Sequence, residues 1–326
     1  MYNKIIIGGV QMNKFKRLVL FILMASMVWM IGCSSNNKAV NIDVQGEEYT
    51  TDENLSLKIG VMPAVDSAPI FIADKNGYFK ELGLDVDVQI YTNAMNRQSA
   101  LQSGELDGAM TDVVALVNNV QNGFDIKVTT STDGSFPILV KKDFKEQKDI
   151  KVGLMEVSVV NYLCDEFLSE NYNVEKIFIN EIPARLEMLN QGQIDMAVLP
   201  EPVASQGELM GLEKRIYESK DEFSPEIMVF TGDAIKNKEK AIQLFHEAYN
   251  KAVAEIQKND SIARDILVEK LELNPEVKDK ITLPKYNIAR LPSQEYIEKI
   301  MKWNEKVLNK KIDLKYEDLV EGKFVK

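Results

Sequence analysis

Two carboxylates, Asp112 and Glu201, stand at nearly corresponding places in two stretches of the chain that resemble one another. Thr111-Asp112 follows Gly108-Ala109-Met110, and Leu199-Pro200-Glu201 follows Met196-Ala197-Val198, each run suited to a strand. Ionised carboxylates only accept hydrogen bonds, so two of them facing across a cleft would select a ligand with amino or other N–H donors. The plainer alternative for each is a solvated loop carboxylate. A second cluster lies in Pro63-Ala64-Val65-Asp66-Ser67-Ala68-Pro69, where Asp66 or Ser67 is expected to cap a helix with Pro69 in its first turn. Asp66, Ser67 and Ala68 are therefore candidates for both capping and ligand contact. Asn93, Thr111, Thr130 and Ser158 complete the set, because each follows or ends a run expected to be a strand. In open parallel sheets a ligand sits beyond the carboxyl ends of strands, where helix N-termini offer free N–H groups.

Nucleophilic chemistry has little to work with. It needs an activated group beside a base, and the chain has one histidine and two cysteines. Cys164 lies in the amphipathic stretch Asn161-Tyr162-Leu163-Cys164-Asp165-Glu166-Phe167-Leu168 and reads as a buried structural thiol. His246 falls in a separate helical pattern, where an exposed or half-buried position is expected. One histidine and one such thiol make no transition-metal site, and no metal or cofactor is expected. A net charge of −11 without a basic stripe argues against nucleic acid as a partner.

The elements that must position these residues come in two copies. Leu57-Lys58-Ile59-Gly60-Val61-Met62 is echoed by Ile150-Lys151-Val152-Gly153-Leu154-Met155. Further on, Arg97, Leu101, Gly104, Asp107 and Ala109 recur as Arg185, Leu189, Gly192, Asp195 and Ala197 at the same spacing. Each copy reads as a helix stopped by glycine, a turn and a strand. Strands alternating with helices predict parallel sheets covered on both faces. The expected fold is α/β, with two lobes, each a mainly parallel sheet flanked by helices, joined by two crossing segments. The apolar runs at Ile138-Leu139-Val140 and Ile227-Met228-Val229-Phe230-Thr231 are the expected crossings. Lobe I would then comprise residues 55–139 and 231–326, and lobe II residues 140–230. A length of 326 residues suits two such units.

The N-terminal region reads as an export signal. Lys14, Lys16 and Arg17 precede an uncharged stretch, residues 18–31, too short to span a bilayer and of signal-core length. Met30-Ile31-Gly32-Cys33 followed by Ser34-Ser35 resembles a bacterial lipobox, with Cys33 as the lipid anchor; the alternative is a plain secretory signal. Residues 1–32 are the expected signal peptide, with Met12 the expected start, and the polar residues 33–54 a lipid-anchored tether. This places the protein at the cell membrane on its extracytoplasmic face.

One longer segment is specific enough to suggest a family. Ala68-Pro69-Ile70-Phe71-Ile72-Ala73-Asp74-Lys75-Asn76-Gly77-Tyr78-Phe79-Lys80-Glu81-Leu82-Gly83-Leu84, with residues 101–107, 138–143 and 195–202, resembles the type II periplasmic binding proteins of the nitrate, sulfonate, taurine and thiamine-pyrimidine-precursor group. The resemblance implies the type II periplasmic binding protein fold. It also implies a monomeric capture component of an ABC importer, working with separate permease and ATPase chains. Where sulfonate-type relatives often carry Gly-Ser-Ser, this chain has Val157-Ser158-Val159, and Leu199-Pro200 stand where they often carry Trp. Those departures favour an organic ligand with N–H donors. Two other roles on the same fold are an enzyme of the pyrimidine-precursor-synthase type and a ligand-sensing lipoprotein.

Overall fold

The computed structural model describes residues 55–325 apart from Lys220, and no side chain at Leu308. The expected signal peptide, the Cys33 anchor and the tether lie outside the described residues. Two five-stranded mixed sheets form the framework. The first contains β1 (Ser56–Val61), β2 (Asp85–Ile90), β3 (Gly108–Asp112), β4 (Ile126–Ser131) and β10 (Glu226–Thr231), in the order β2-β1-β3-β10-β4. The second contains β5 (Ile138–Val140), β6 (Asp149–Leu154), β7 (Asn173–Phe178), β8 (Met196–Val198) and β9 (Glu213–Arg215), in the order β7-β6-β8-β5-β9. The two orders are equivalent, so the repeat in the sequence is a repeat in topology. Helices α1 (Ala68–Lys75), α2 (Tyr78–Glu81), α3 (Ala94–Gln102) and α4 (Val113–Gln121) accompany the first sheet. The second carries α5 (Val159–Leu168), α6 (Ile182–Asn190) and α7 (Val203–Leu209). After β10 the chain adds α8 (Gly232–Asn237), α9 (Glu239–Lys258), α10 (Ser261–Lys270), α11 (Gln294–Leu308) and α12 (Tyr316–Leu319). The apolar stripe of α9, from Ala241 to Ile256, packs with α1 over β1.

The recurring residues of the sequence do the same work twice. Gly104 and Gly192 end α3 and α6 at φ +78° and +71°, the left-handed region where a side chain would be strained. The Asp107 carboxylate accepts from the Lys58 amide at 2.8 Å, and the Asp195 carboxylate from the Lys151 amide at 2.8 Å. A Cβ on Gly60 would come 2.5 Å from Leu106 Cδ1, and one on Gly153 2.5 Å from Ile194 Cδ1. Each glycine thus lets the following helix-strand turn close onto its strand.

The crossings differ from the sequence expectation. Ile138–Val140 is not a crossing strand but β5, inside the second sheet, antiparallel to β8 and β9. The run 227–231 belongs to β10, inside the first sheet, antiparallel to β3 and β4. The chain crosses instead through residues 132–137 and 216–225, so β5 falls in lobe II and β10 in lobe I. The reason is geometric. Strands β4 and β9 end at the cleft, so a chain stepping across it enters the other sheet from the cleft side and must run against its neighbours. A buried central strand reads as an unbroken apolar run, as both segments do.

Candidate functional site

The strand tips of both sheets meet at a cavity of about 70 Å³. It opens towards a groove of about 410 Å³ between α3, α4 and the loop before α5. Chamber and groove share Ala94, Arg97, Asp112, Met155, Ser158 and Asn180. Contacts across the cleft hold the lobes together here. The Val65 amide donates to the Glu201 carbonyl at 3.0 Å. Asn180 Nδ2 donates to the Met95 sulfur at 3.4 Å, and Asn93 Nδ2 donates to Glu181.

Four of the expected residues line the chamber: Asp66, Thr111, Asp112 and Ser158. Asp112 caps α4, accepting from the Ala115 amide at 2.8 Å, and the Val159 amide of the other lobe faces it as well. Burial nevertheless raises its pKa. Asp66 sits in a 3-10 turn, Val65–Ser67, and burial, with Asp133 nearby, pushes its carboxyl up to about 7 against the pull of neighbouring amides and Arg97. Ser158 occupies the N-cap position of α5 without a side-chain bond to the helix, which leaves its hydroxyl at the chamber wall.

The other expected residues serve the fold. Neither Asp66 nor Ser67 caps α1 through its side chain; Ser67 Oγ donates instead to the Met62 carbonyl at 2.8 Å. Ala68 is buried at the start of α1. Asn93 caps α3, accepting from the amides of Met95 and Asn96 at 2.7 and 3.1 Å, at the rim. Thr130 Oγ1 accepts from the Arg290 amide at 2.9 Å and donates to the Ser131 carbonyl. Glu201 does not face Asp112. It is fully buried, paired with Lys214 Nζ at 3.0 Å, and accepts from the amides of Ser205 and Thr282 at 3.1 and 3.2 Å. An offset of one position between the repeats was enough to aim one carboxylate into the cleft and the other into the joint between the lobes.

Arg97, Arg185 and Glu226 line the chamber and were not among the sequence candidates. Arg97 donates to Thr111 Oγ1 at 3.1 Å, and Arg185 to the Val198 carbonyl at 3.0 Å. The two arginines are the recurring pair of the repeat, as Met62 and Met155, also in the lining, are of the strand motif. Burial lowers both arginine pKa values, Arg185 to about 10. Burial and then the charges of Asp66 and Asp112 hold the Glu226 carboxyl well above the usual range.

Cys164 is buried and its thiol pushed up to about 12 by burial, matching the structural reading. His246 is buried rather than half-exposed: its Nε2 lies 3.0 Å from Thr129 Oγ1, and burial lowers its pKa to about 4. Among the described residues no group of three or more His, Cys, Asp or Glu is placed to hold a metal ion, and no helix is long and apolar enough to cross a membrane.

The sequence profile of the NMT1-like family matches residues 50–267, from the first strand through both lobes. The chain belongs to the NMT1-like family. No curated protein matches the sequence. Several solved structures share the fold of this NMT1-like chain. The ligand-binding component of an ABC-type import system from Staphylococcus aureus, with zinc bound, has a TM-score of 0.69 at 18% identity over 82% of this chain and 97% of that one. The alkanesulfonate-binding protein SsuA from Xanthomonas axonopodis pv. citri, bound to MOPS, scores 0.64 at 14% identity over 79% and 92%. The nitrate-binding protein NrtA from Synechocystis PCC 6803 scores 0.58 at 14% identity, over 69% of each chain. The two-lobed periplasmic binding protein fold of the NMT1-like chain is thereby established.

Proposed function

We propose that the protein is the solute-binding component of an ABC-type importer, exported and held at the membrane by Cys33, handing its ligand to a permease and ATPase. One observation carries the reading: a chamber at the meeting point of two equivalent sheets is lined by side chains from both lobes. The chain crosses between those lobes twice, through short segments that can act as hinges. A ligand touching both walls binds the closed arrangement better than the open one, and so shifts the population towards closure. The printed roles of the structural neighbours, an import component and binders of sulfonate and nitrate, support the same reading.

Thermal-shift titration of the purified protein against amines, sulfonates, nitrate, pyrimidines and flavins tests it. A true ligand raises the melting temperature with its concentration, lowers the radius of gyration in solution scattering, and is recovered unchanged. Conversion of the bound compound into a product would move the protein to the enzymes.

A further inference from the structure

Charge in the chamber is unevenly shared. Asp66, Asp112 and Glu226 line it together with Arg97 and Arg185. Arg185 gives its hydrogen bond to a backbone carbonyl, and no acid bears on its ionisation. Asp112 is served by the amides of Ala115 and Val159 as well as by Arg97. Arg97, the remaining cation, must therefore answer for Asp66 and Glu226 too, and donates its hydrogen bond to Thr111. Glu226 is 8% exposed and its carboxylate makes no hydrogen bond or ion pair among the described residues. It also stands directly opposite Asp112 in the pairing of β10 with β3. Like charges at opposed positions of adjacent strands repel, and the Glu226 carboxylate meets only the confined chamber. Asp112 earns its place by capping α4, whereas the fold offers the Glu226 carboxylate no donor among the described residues.

We infer that the chamber binds a small organic cation, a protonated amine or amidinium, with its N–H groups donated to Asp66 and Glu226. The inference rests on the solute-binding reading and names the ligand's chemical class. The cation supplies a second positive charge to the three acids that share Arg97, and donors to Glu226, whose carboxylate has none among the described residues. The chamber volume of about 70 Å³ suits the cationic head of a ligand, and the adjoining groove has room for the rest. Ligand-free, the acids relieve their repulsion by keeping protons, in keeping with the raised pKa of Asp66 and Glu226. The groups that face them are Arg97, Asp112 and Asp133, with the tyrosines 249, 286 and 296 behind. A carboxyl with a raised folded pKa costs nothing while protonated in both states. Its cost grows as pH rises from the ordinary value of 3.8 to about 7 for Asp66, then levels off.

Two measurements decide the matter. Without ligand, Asp66→Asn and Glu226→Gln should melt above the wild type at pH 8, the gain shrinking towards pH 5. Variants that melt below the wild type at pH 8 would show carboxylates satisfied by the fold and overturn the cation. With ligand, methylammonium, ethanolamine and acetamidinium are titrated beside methanesulfonate and nitrate. At least one cation should raise the melting temperature, with affinity lost by about 10-fold to 100-fold in Glu226→Gln. An anion that binds the wild type, undiminished in that variant, overturns the cation and leaves solute capture standing. Silence from both sets would remove solute capture and this inference with it.

Discussion

The two lobes share topology and supporting hydrogen bonds yet present opposite electrostatics to the cleft. In lobe I, Arg97 stands among Asp66, Asp112 and Glu226. In lobe II its counterpart Arg185 donates to a backbone carbonyl, and among the described residues no acid shifts its ionisation. The acid of lobe II that corresponds to Asp112, Glu201, is turned away and paired with Lys214 where the lobe meets residues 280–282 of lobe I. Duplication of a scaffold thus fixes where side chains start, and the loop after each third strand decides where they end. One wall came to gather acids around Arg97; the other came to hold the lobes together.

The sharpest way to break this comparison is at Lys214. Its side chain is 8% exposed, pairs with Glu201 and Glu208 at 3.0 Å each, and donates to the Lys280 carbonyl at 2.6 Å. Lys214→Met strands the fully buried Glu201 carboxylate without its cation. Urea unfolding at pH 7 should show a loss of about 3–5 kcal/mol. A loss too small to resolve would mean that Glu201 is not held as a structural ion, and the division of labour between the walls would fail.

The two arginines come next. Arg97→Met removes the one cation serving three buried acids, and should cost about 2–3 kcal/mol at neutral pH, comparable to a hydrogen bond to a charged group. The loss should grow as pH rises, because the acids must then ionise against one another. Arg185→Met removes a buried guanidinium that has one hydrogen bond and an Nε without a partner among the described residues. Replacing such a group by an apolar one of similar length should change stability by about 1 kcal/mol or less, with no pH trend. Equal, pH-independent effects at the two sites would show that the walls are electrostatically alike.

Most of this architecture was legible in the sequence, because duplication leaves matched residues at matched spacing. The glycines, the Asp107 and Asp195 anchors and the strand motifs were all readable as pairs. The site was legible only where it sits at the carboxyl ends of forward-running strands, as with Asp66, Thr111, Asp112 and Ser158. Glu226 escaped because it opens β10, an antiparallel strand whose first residue, not its last, reaches the cleft. Phe136, also in the chamber wall, precedes β5 for the same reason. Arg97 and Arg185 were visible as a recurring pair, but a side chain that long can reach a strand tip or solvent from the same helix. Their repetition as the fourth residue of α3 and of α6 was the signal to follow. Glu201 misled because the repeat aligns backbones, and one residue of offset at a turn redirects a side chain completely.

A last pair of substitutions tests the shared scaffold itself. Gly60→Ala and Gly153→Ala each put a methyl group 2.5 Å from the aliphatic side chain of the turn, Leu106 in one lobe and Ile194 in the other. Overpacking of this kind should cost about 1–3 kcal/mol, and similar amounts in both lobes if the repeat is mechanical. The lobes differ one contact further out, where the new methyl stands 3.2 Å from Arg97 Cγ but 3.8 Å from Arg185 Cγ. Gly60→Ala should therefore also move the guanidinium that answers the three acids, and its stability loss should deepen with pH. Gly153→Ala should show the packing cost alone, unchanged between pH 5 and pH 8 because no acid bears on Arg185. Matching pH profiles for the two variants would separate the glycines from the charge of the cleft and confine them to packing.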